Sequence, residues 1–156
     1  MNQSNEKAQN MRSFRRLFDE GFTAGNTSVV DELVSPDLKE HMALDPPSME
    51  GVKELIRSLH ATFPDFRCEL ADVAADGDKV WGRVRGGGTD RGGFAGHPPT
   101  GRTVATDSFD LCRFERGKVV EHWGVVDRLG MMGQLGLIPP PGLGEGRTET
   151  KVISES

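Results

Sequence analysis

The stretch Phe109–Gly136, FDLCRFERGKVVEHWGVVDRLGMMGQLG, predicts a β-hairpin followed by a short helix. Val104–Phe114 and Val119–Val126 are rich in residues that favour strands. Arg116-Gly117 lies between these two runs and suits the two-residue turn of a hairpin. Arg128–Leu135 then predicts a short terminal helix. The other predicted elements precede this hairpin in the chain.

Apolar periodicity upstream of the hairpin predicts three helices. Glu6–Thr23 carries an apolar stripe, and Val29–Val34 forms a shorter second helix. The clearest helix is Met49–Thr62, in which apolar residues recur at helical spacing and Pro64 marks the end. Asp37–Leu44, between the second and third helices, predicts an irregular strand.

The apolar period changes from 3.6 to 2 after the third helix. Phe66–Ala71 and Val80–Arg85 alternate and predict a first hairpin. Gly86–Gly101 is too rich in glycine and proline for a regular interior strand, so we expect a mobile lid or a strand crossover there.

Helices followed by a run of antiparallel strands are typical of an α+β fold. We expect a cone-shaped barrel, a curved and mainly antiparallel sheet wrapped on about three N-terminal helices, with a short C-terminal helix. The chain of 156 residues predicts one domain, residues 6–138. Residues 1–5 are expected to be disordered, and residues 139–156 to form a flexible Pro/Gly-rich tail.

Composition excludes several classes of function. The net charge is −5 and no block of basic residues is present, which argues against nucleic acid and anionic membranes as partners. No apolar run reaches the length of a membrane span, and the polar first ten residues predict a cytoplasmic protein. Cys68 and Cys112 lack metal-ligand spacing, so we expect two reduced thiols and no metal site.

Hairpin register decides which side chains share a face. A two-residue turn pairs Phe114 with Val119, and regular pairing beyond it predicts one wall that carries the following residues: Thr106, Ser108, Asp110, Cys112, Glu121, Trp123, Val125 and Asp127. His122 then points to the opposite face. A bulge near Gly117 would shift this register by one residue and bring Asp110 opposite His122.

The segments GFAGHPPTGR and CRFERGKVVEHWGVVDRLGMMGQLG, with EHMALDPPSMEGVKELIRSLHATFPDFRCEL upstream, resemble the SnoaL-like polyketide cyclases of the nuclear transport factor 2-like superfamily. The resemblance covers about Phe14–Leu137. It implies a cone-shaped α+β barrel with an apolar pocket, a homodimer or higher homo-oligomer, and chemistry without a metal or organic cofactor. In these cyclases an aspartate is the general acid/base of an intramolecular aldol ring closure, and the matching position here is Asp127. Family members often carry histidines where this chain has Asp90 and Asp110.

Each candidate residue also has a structural interpretation. Asp127 is well placed to cap the terminal helix, a role that it could combine with acid/base chemistry. His41 is either a surface histidine or a donor to a substrate carbonyl, and Asp110 is either a structural hydrogen-bonding group or an assisting acid. Glu121 is either a paired strand charge or a pocket group, and Trp123 is a core residue that can also form the pocket wall.

The remaining aromatic and histidine side chains complete the set. Phe63 and Trp81 are core residues with pocket lining as the second interpretation, and Ser108 lies on the predicted pocket wall. His60 is expected at the surface, and His97 in a loop that could cover the pocket.

The sequence therefore predicts a cofactor-free acid/base enzyme that acts on a small polyketide-like or other apolar carbonyl substrate. Asp127, His41 and Asp110 are the predicted catalytic residues. The predicted substrate contacts are Trp123, Glu121, Phe63, Trp81 and Ser108. A non-catalytic ligand-binding or scaffolding module remains an alternative, as does an epoxide hydrolase or isomerase, for which an Asp-Arg-Asp trio in the pocket would be the sign.

Overall fold

A computed structural model describes residues 2–139 and confirms the predicted α+β class. Helix α1 (Gln3–Arg16) continues directly into a π-helical segment (Leu17–Thr23). The other elements, in chain order, are α2 (Ser28–Leu33), β1 (Val34–Glu40), α3 (Met49–Thr62), β2 (Arg67–Asp76), β3 (Lys79–Thr89), β4 (Thr103–Glu115), β5 (Lys118–Val126) and α4 (Arg128–Gln134). No helix in this described part of the chain is long and apolar enough to cross a membrane.

The five strands form one curved sheet in the order β1-β5-β4-β3-β2. β1 runs parallel to β5, and the three other neighbouring pairs are antiparallel. The sheet does not close on itself, so the cone is an open one, with helices on its concave side. Apolar side chains from both helices and strands meet in its interior.

The core fills the space between α1, α3 and the concave face. Phe14 is fully buried, and Ile56 and Val80 are 1% and 0% exposed, respectively. Burial of such side chains contributes about 1.5–3 kcal/mol each. Ser48 caps α3 by accepting from the amide of Gly51 at 3.4 Å, so α3 begins where the sequence predicts.

Two predicted boundaries move outward. α1 begins at Gln3, so residues 3–5, for which the sequence predicts disorder, are helical. β1 begins at Val34 instead of near Asp37, and it contains Pro36. Because β1 is an edge strand, a proline without an amide hydrogen is tolerated there. The predicted tail lies outside the described residues except for Pro139.

The glycine-rich run was wrongly excluded from the sheet. β3 continues through Gly86–Gly88 to Thr89 as an interior strand between β2 and β4. A Cβ atom on Gly87 would collide with the carbonyl oxygen of Val104, and one on Gly88 would lie 2.9 Å from Cβ of Phe63. The glycines therefore permit close approach of neighbouring backbone, and the irregular connection is shorter than predicted.

The predicted hairpin turn is confirmed, but the predicted register is wrong beyond it. Glu115 pairs with Lys118 and Phe114 with Val119, and the turn residues Arg116 and Gly117 have φ values of 51° and 74°. Both positive values fit the type I′ turn.

The next pair along the hairpin is Arg113 with Glu121, so Val120 is an extra residue that forms a bulge. All residues of β5 beyond Val120 are therefore turned to the face opposite to the one predicted. Cys112 lies opposite His122, and Leu111 lies opposite Trp123.

Candidate functional site

A cavity of about 230 Å³ lies between the helices and the concave face of the sheet. Most of its wall is apolar, formed by residues of the π-helical segment, α3, α4 and the strands. Aromatic side chains that line it are Phe18, Phe22, Phe63, Phe66 and Phe94. An apolar hollow with few polar groups is the usual form of a small-molecule site.

Four polar side chains that line the cavity form one hydrogen-bonded chain. Nδ1 of His122 lies 2.9 Å from both carboxylate oxygens of Glu40. Nε2 of His122 lies 3.1 Å from Oδ1 of Asp110, and Ser108 donates its hydroxyl to Oδ2 of Asp110 at 2.7 Å. The amide of Met42 also donates to Glu40, at 2.8 Å.

These groups are nearly inaccessible to bulk water. The side chains of Glu40, Asp110 and His122 are 0%, 9% and 16% exposed, respectively. Burial by itself lowers the pKa of His122, but the hydrogen bonds and charges of Asp110 and Glu40 outweigh it and raise the pKa to about 9. His122 is therefore an imidazolium at neutral pH, and it donates one N–H group to each carboxylate.

Strand pairing brings this cluster together. Glu40, at the end of β1, pairs with His122 in β5, and the Val120 bulge turns His122 toward Asp110 in β4. Gly124 lies opposite Asp110, and a Cβ atom there would lie 2.8 Å from Oδ1 of Asp110 and 2.6 Å from the sulfur of Met42. The glycine therefore leaves the space that the carboxylate and the Met42 side chain occupy.

Four predicted site residues lie on the outer face instead. The ring of His41 stacks on Trp123 with centroids 4.8 Å apart, and His41 Nε2 lies 3.0 Å from Glu121. Arg113 donates to the other oxygen of Glu121 at 3.0 Å. Trp81 is 52% exposed on the same face. The predicted common wall of Asp110, Glu121 and Trp123 is thus wrong, because the bulge separates them.

Asp127 has the structural role that its position allowed. Its side chain accepts from the amide of Gly130 at 2.7 Å and caps α4. The residue is exposed and is not among those that line the cavity. Of the other predicted residues, Phe63 and Ser108 line the cavity, whereas contact with a ligand stays a prediction for both.

The histidines outside the cluster also have structural partners or are exposed. His60 Nε2 lies 2.7 Å from the carbonyl oxygen of Phe22, and His97 is exposed in the loop before β4. Asp90 is fully buried and accepts from the amides of Gly93 and Thr100, at 2.8 and 2.9 Å, which fixes that loop.

Glu40 was missed by sequence reasoning, and His122 was assigned to the wrong face. The available signals were the EH pair, Glu40-His41, and the possibility of a bulge near the turn. No group of three or more His, Cys, Asp or Glu side chains in residues 2–139 is arranged to hold a metal ion.

Comparison with known proteins agrees with this architecture. A sequence model of the SnoaL-like polyketide cyclases matches residues 12–135. Nogalonic acid methyl ester cyclase of Streptomyces nogalater is 30% identical over 119 residues, which are 74% of this chain and 89% of that protein.

Solved structures show the same fold. IdmH of Streptomyces antibioticus is 30% identical with a TM-score of 0.74, and the match covers 82% of this chain and 99% of that chain. A protein from Jannaschia sp. CCS1, assigned to the SnoaL-like polyketide cyclases, is 28% identical with a TM-score of 0.77, over 89% of this chain and 99% of that one.

Proposed function

The chain belongs to the SnoaL-like polyketide cyclase family, and on that premise we propose that its cavity catalyses proton transfer at a carbon next to a carbonyl group. The observation that carries the proposal is the buried chain Glu40–His122–Asp110 at one side of an apolar cavity. The substrate is a small apolar carbonyl compound, and the overall reaction is an intramolecular aldol ring closure.

Asp110 is the proposed general base. Each of its oxygens accepts one hydrogen bond, from His122 or Ser108, and keeps a further lone pair. Asp110 takes a proton from the substrate carbon, and the enolate carbon then attacks a second carbonyl group of the same molecule. The carboxylic acid of Asp110 returns the proton to the alkoxide that forms, so the residue ends the cycle unchanged.

His122 is the proposed electrostatic group. Its positive charge is held in a buried site, where it stabilises the negative charge of the enolate and alkoxide more strongly than it would in water. Glu40 is a positioning residue, because it holds the imidazolium in place from the side away from Asp110. Neither Asp127 nor His41 has a role in this proposal.

The proposal is tested without the natural substrate by hydrogen–deuterium exchange. We choose 2-tetralone, a two-ring apolar ketone, and follow the loss of its α-proton signals by NMR in buffered D₂O. The wild-type protein should accelerate exchange over buffer. Asp110→Asn should lower the accelerated rate by about 10²-fold or more, since general acid/base groups contribute about 10²- to 10⁴-fold.

Asp127→Asn is the matched control, and it should keep the wild-type rate. Circular dichroism and thermal melting establish that both variants are folded. An Asp110→Asn variant that exchanges as fast as the wild type contradicts the proposal. Wild-type protein that binds 2-tetralone without accelerating exchange also contradicts it, and favours a ligand-binding module.

The epoxide-hydrolase alternative has less support. It expects an Asp-Arg-Asp trio inside the pocket, whereas the two buried carboxylates flank a histidine. The predicted cytoplasmic location stays a prediction.

We also propose that two copies of the chain associate through the outer face of the sheet. Two apolar rows cross its centre and contain Trp81, Leu111 and Trp123 in one row and Phe109 and Val125 in the other. Phe109 and Val125 are 60% and 73% exposed, respectively, which is unusual for side chains of adjacent strands on one face.

The area and charge of this face suit a second copy. Five strands about 4.8 Å apart and about 8 residues long cover roughly 600 Å² in plan, close to the roughly 800 Å² that each partner buries in a standard interface. The charges that flank the apolar rows are of both signs, in the pairs Arg83–Asp107 and Arg113–Glu121. A two-fold arrangement therefore does not require like charges to face each other.

Sedimentation equilibrium tests this association. The wild type should be a dimer at micromolar concentration, and Val125→Glu should be a monomer. Leu129→Glu is the control, because Leu129 is also exposed (56%) but lies in α4 away from this face. A monomeric wild type, or a dimeric Val125→Glu, would exclude this face as the interface.

A further inference from the structure

The cavity has one cationic side chain besides His122, and it lies where the cavity opens to solvent. Among the described residues that line the cavity, Arg128 is the only lysine or arginine. It is also the only one of them that is exposed, so it marks the mouth. Its position follows directly from the chain, since β5 ends at Val126 and Arg128 is the first residue of α4.

The guanidinium of Arg128 has no carboxylate partner within residues 2–139. None of the ion pairs in this part of the chain includes it. The nearest acid in sequence, Asp127, is engaged with the amide of Gly130. By contrast, two arginines of the outer face are in ion pairs: Arg83 with Asp107, and Arg113 with Glu121.

The inner face of β5 separates this cation from the acid/base cluster. His122, Gly124 and Val126 follow one another along that face, and four residues at about 3.3 Å each give about 13 Å between His122 and Val126. Val126 lines the cavity between the two polar regions. A ligand in the cavity therefore contacts the Glu40–His122–Asp110 cluster at one end, apolar side chains in the middle, and Arg128 at the other end.

We propose that Arg128 binds a carboxylate of the substrate at the cavity mouth, so that the preferred substrate is an otherwise apolar carbonyl compound of one or two rings that carries one carboxylate. The inference rests on the proposed function, from which it takes the cavity, the carbonyl substrate and the role of Asp110. At about 230 Å³ the cavity lies just below the usual range of small-molecule pockets, about 300–1,000 Å³, which suits a ligand of one or two rings. Arginine presents a planar pair of donors that matches a carboxylate.

Arg128 is thus a specificity-determining residue and takes no part in the proton transfer. It fixes the outer end of the substrate, and this fixes which carbon lies against Asp110. Carboxylate binding at this position depends on the charge of the guanidinium. The dipole of the short helix α4, which Arg128 begins, is not required for it.

The test compares two ligands that have nearly the same shape and differ in charge, 2-naphthoate and 2-naphthamide. Calorimetry gives their dissociation constants for the wild type, Arg128→Gln and Arg128→Lys. The control is Arg12→Gln, which removes the same charge from an exposed arginine of α1 that lies outside the cavity. Methyl signals of Met42 and Met131, which line the cavity, show by NMR whether each ligand enters it.

We expect the wild type to bind 2-naphthoate about tenfold more tightly than 2-naphthamide, a modest value for a charge-assisted hydrogen bond. Arg128→Gln should abolish this difference and leave 2-naphthamide binding unchanged. Arg128→Lys should retain part of it, and Arg12→Gln all of it. Because Arg128 is exposed, these variants should fold normally.

Two results would overturn the inference, and they differ in what they say about the proposed function. If both ligands shift Met42 and Met131 with equal affinity, or if Arg128→Gln keeps the preference, the carboxylate assignment is wrong while the cavity still binds ligands. If neither ligand shifts these methyl groups, the cavity does not receive such molecules, and the proposed function fails as well.

Discussion

Nδ1 of His122 lies 2.9 Å from both oxygens of the Glu40 carboxylate, although 82 residues separate the two in sequence. The contact joins the end of the edge strand β1 to the middle of its parallel neighbour β5. With Asp110 on the other ring nitrogen, it makes a histidine that is charged although it is buried.

The stability of the protein should depend on pH through His122. Its pKa is about 9 in the folded protein and about 6.5 in an unfolded chain. The raised pKa contributes stability that is fully present below pH 6.5 and is lost as pH rises through 9. At about 1.36 kcal/mol for each pH unit, the loss is at most about 3 kcal/mol.

Urea unfolding between pH 6 and pH 10 measures this dependence, and His122→Gln is the comparison, since it lacks the titrating group. The wild type should lose stability across that range more steeply than the variant. Parallel curves for the two proteins would show that His122 does not hold a raised pKa.

Removal of one carboxylate should lower the pKa of His122. In Glu40→Gln the hydrogen-bonding shape is kept but one negative charge is lost, so the imidazolium keeps only Asp110 as an anionic partner. We expect a pKa closer to 6.5 than to 9, and a less stable protein at neutral pH. NMR titration of the His122 ring protons measures the pKa.

Glu121→Gln is the matched control for that titration. Glu121 is the neighbour of His122 in β5, but its side chain pairs with His41 and Arg113 on the outer face. The pKa of His122 should therefore be unchanged. An equal decrease in both variants would mean that a general loss of negative charge, and not the Glu40 contact, sets the pKa.

Much of the fold could be predicted because it depends on local pattern. α3 follows from its apolar spacing and from the proline that follows it. The Arg116-Gly117 turn follows from a glycine, which accepts positive φ, between two strand-forming runs. Each of these features depends on residues that are close together in the chain, so each can be predicted from the sequence alone.

The face on which each β5 side chain lies could not be predicted in the same way. The bulge is at Val120, and no glycine at that position indicates it. The pairing of β1 with β5 is also irregular, between Val34 and Lys39, so both neighbours of β5 depart from regular pairing in this region. That pairing joins residues about eighty positions apart. In the β4–β5 pairing, the single extra residue Val120 places His122 at the cavity and Trp123 on the outer face.

The absence of a side chain at Gly124, opposite Asp110, should be essential for stability and for the proposed activity. In Gly124→Ala the new Cβ atom would lie 2.8 Å from Oδ1 of Asp110 and 2.6 Å from the sulfur of Met42, so these side chains must move. We expect a loss of about 1–3 kcal/mol, the usual cost of overpacking, together with slower 2-tetralone exchange. Leu129→Ala is the control for stability, because that side chain is 56% exposed in α4 and does not line the cavity. Wild-type stability in Gly124→Ala would show that the site has unused space.

The role of Asp127 is separated from catalysis by two substitutions. Asp127→Ala removes the oxygen that accepts from the amide of Gly130 and should cost about 1 kcal/mol, the usual value for an N-cap, whereas Asp127→Asn keeps an acceptor and should cost little. Chemical unfolding measures both changes. Both variants should accelerate 2-tetralone exchange like the wild type at a temperature where they are folded. Loss of exchange in Asp127→Asn without loss of stability would return Asp127 to the acid/base role that the family resemblance implies, and would remove Asp110 from it.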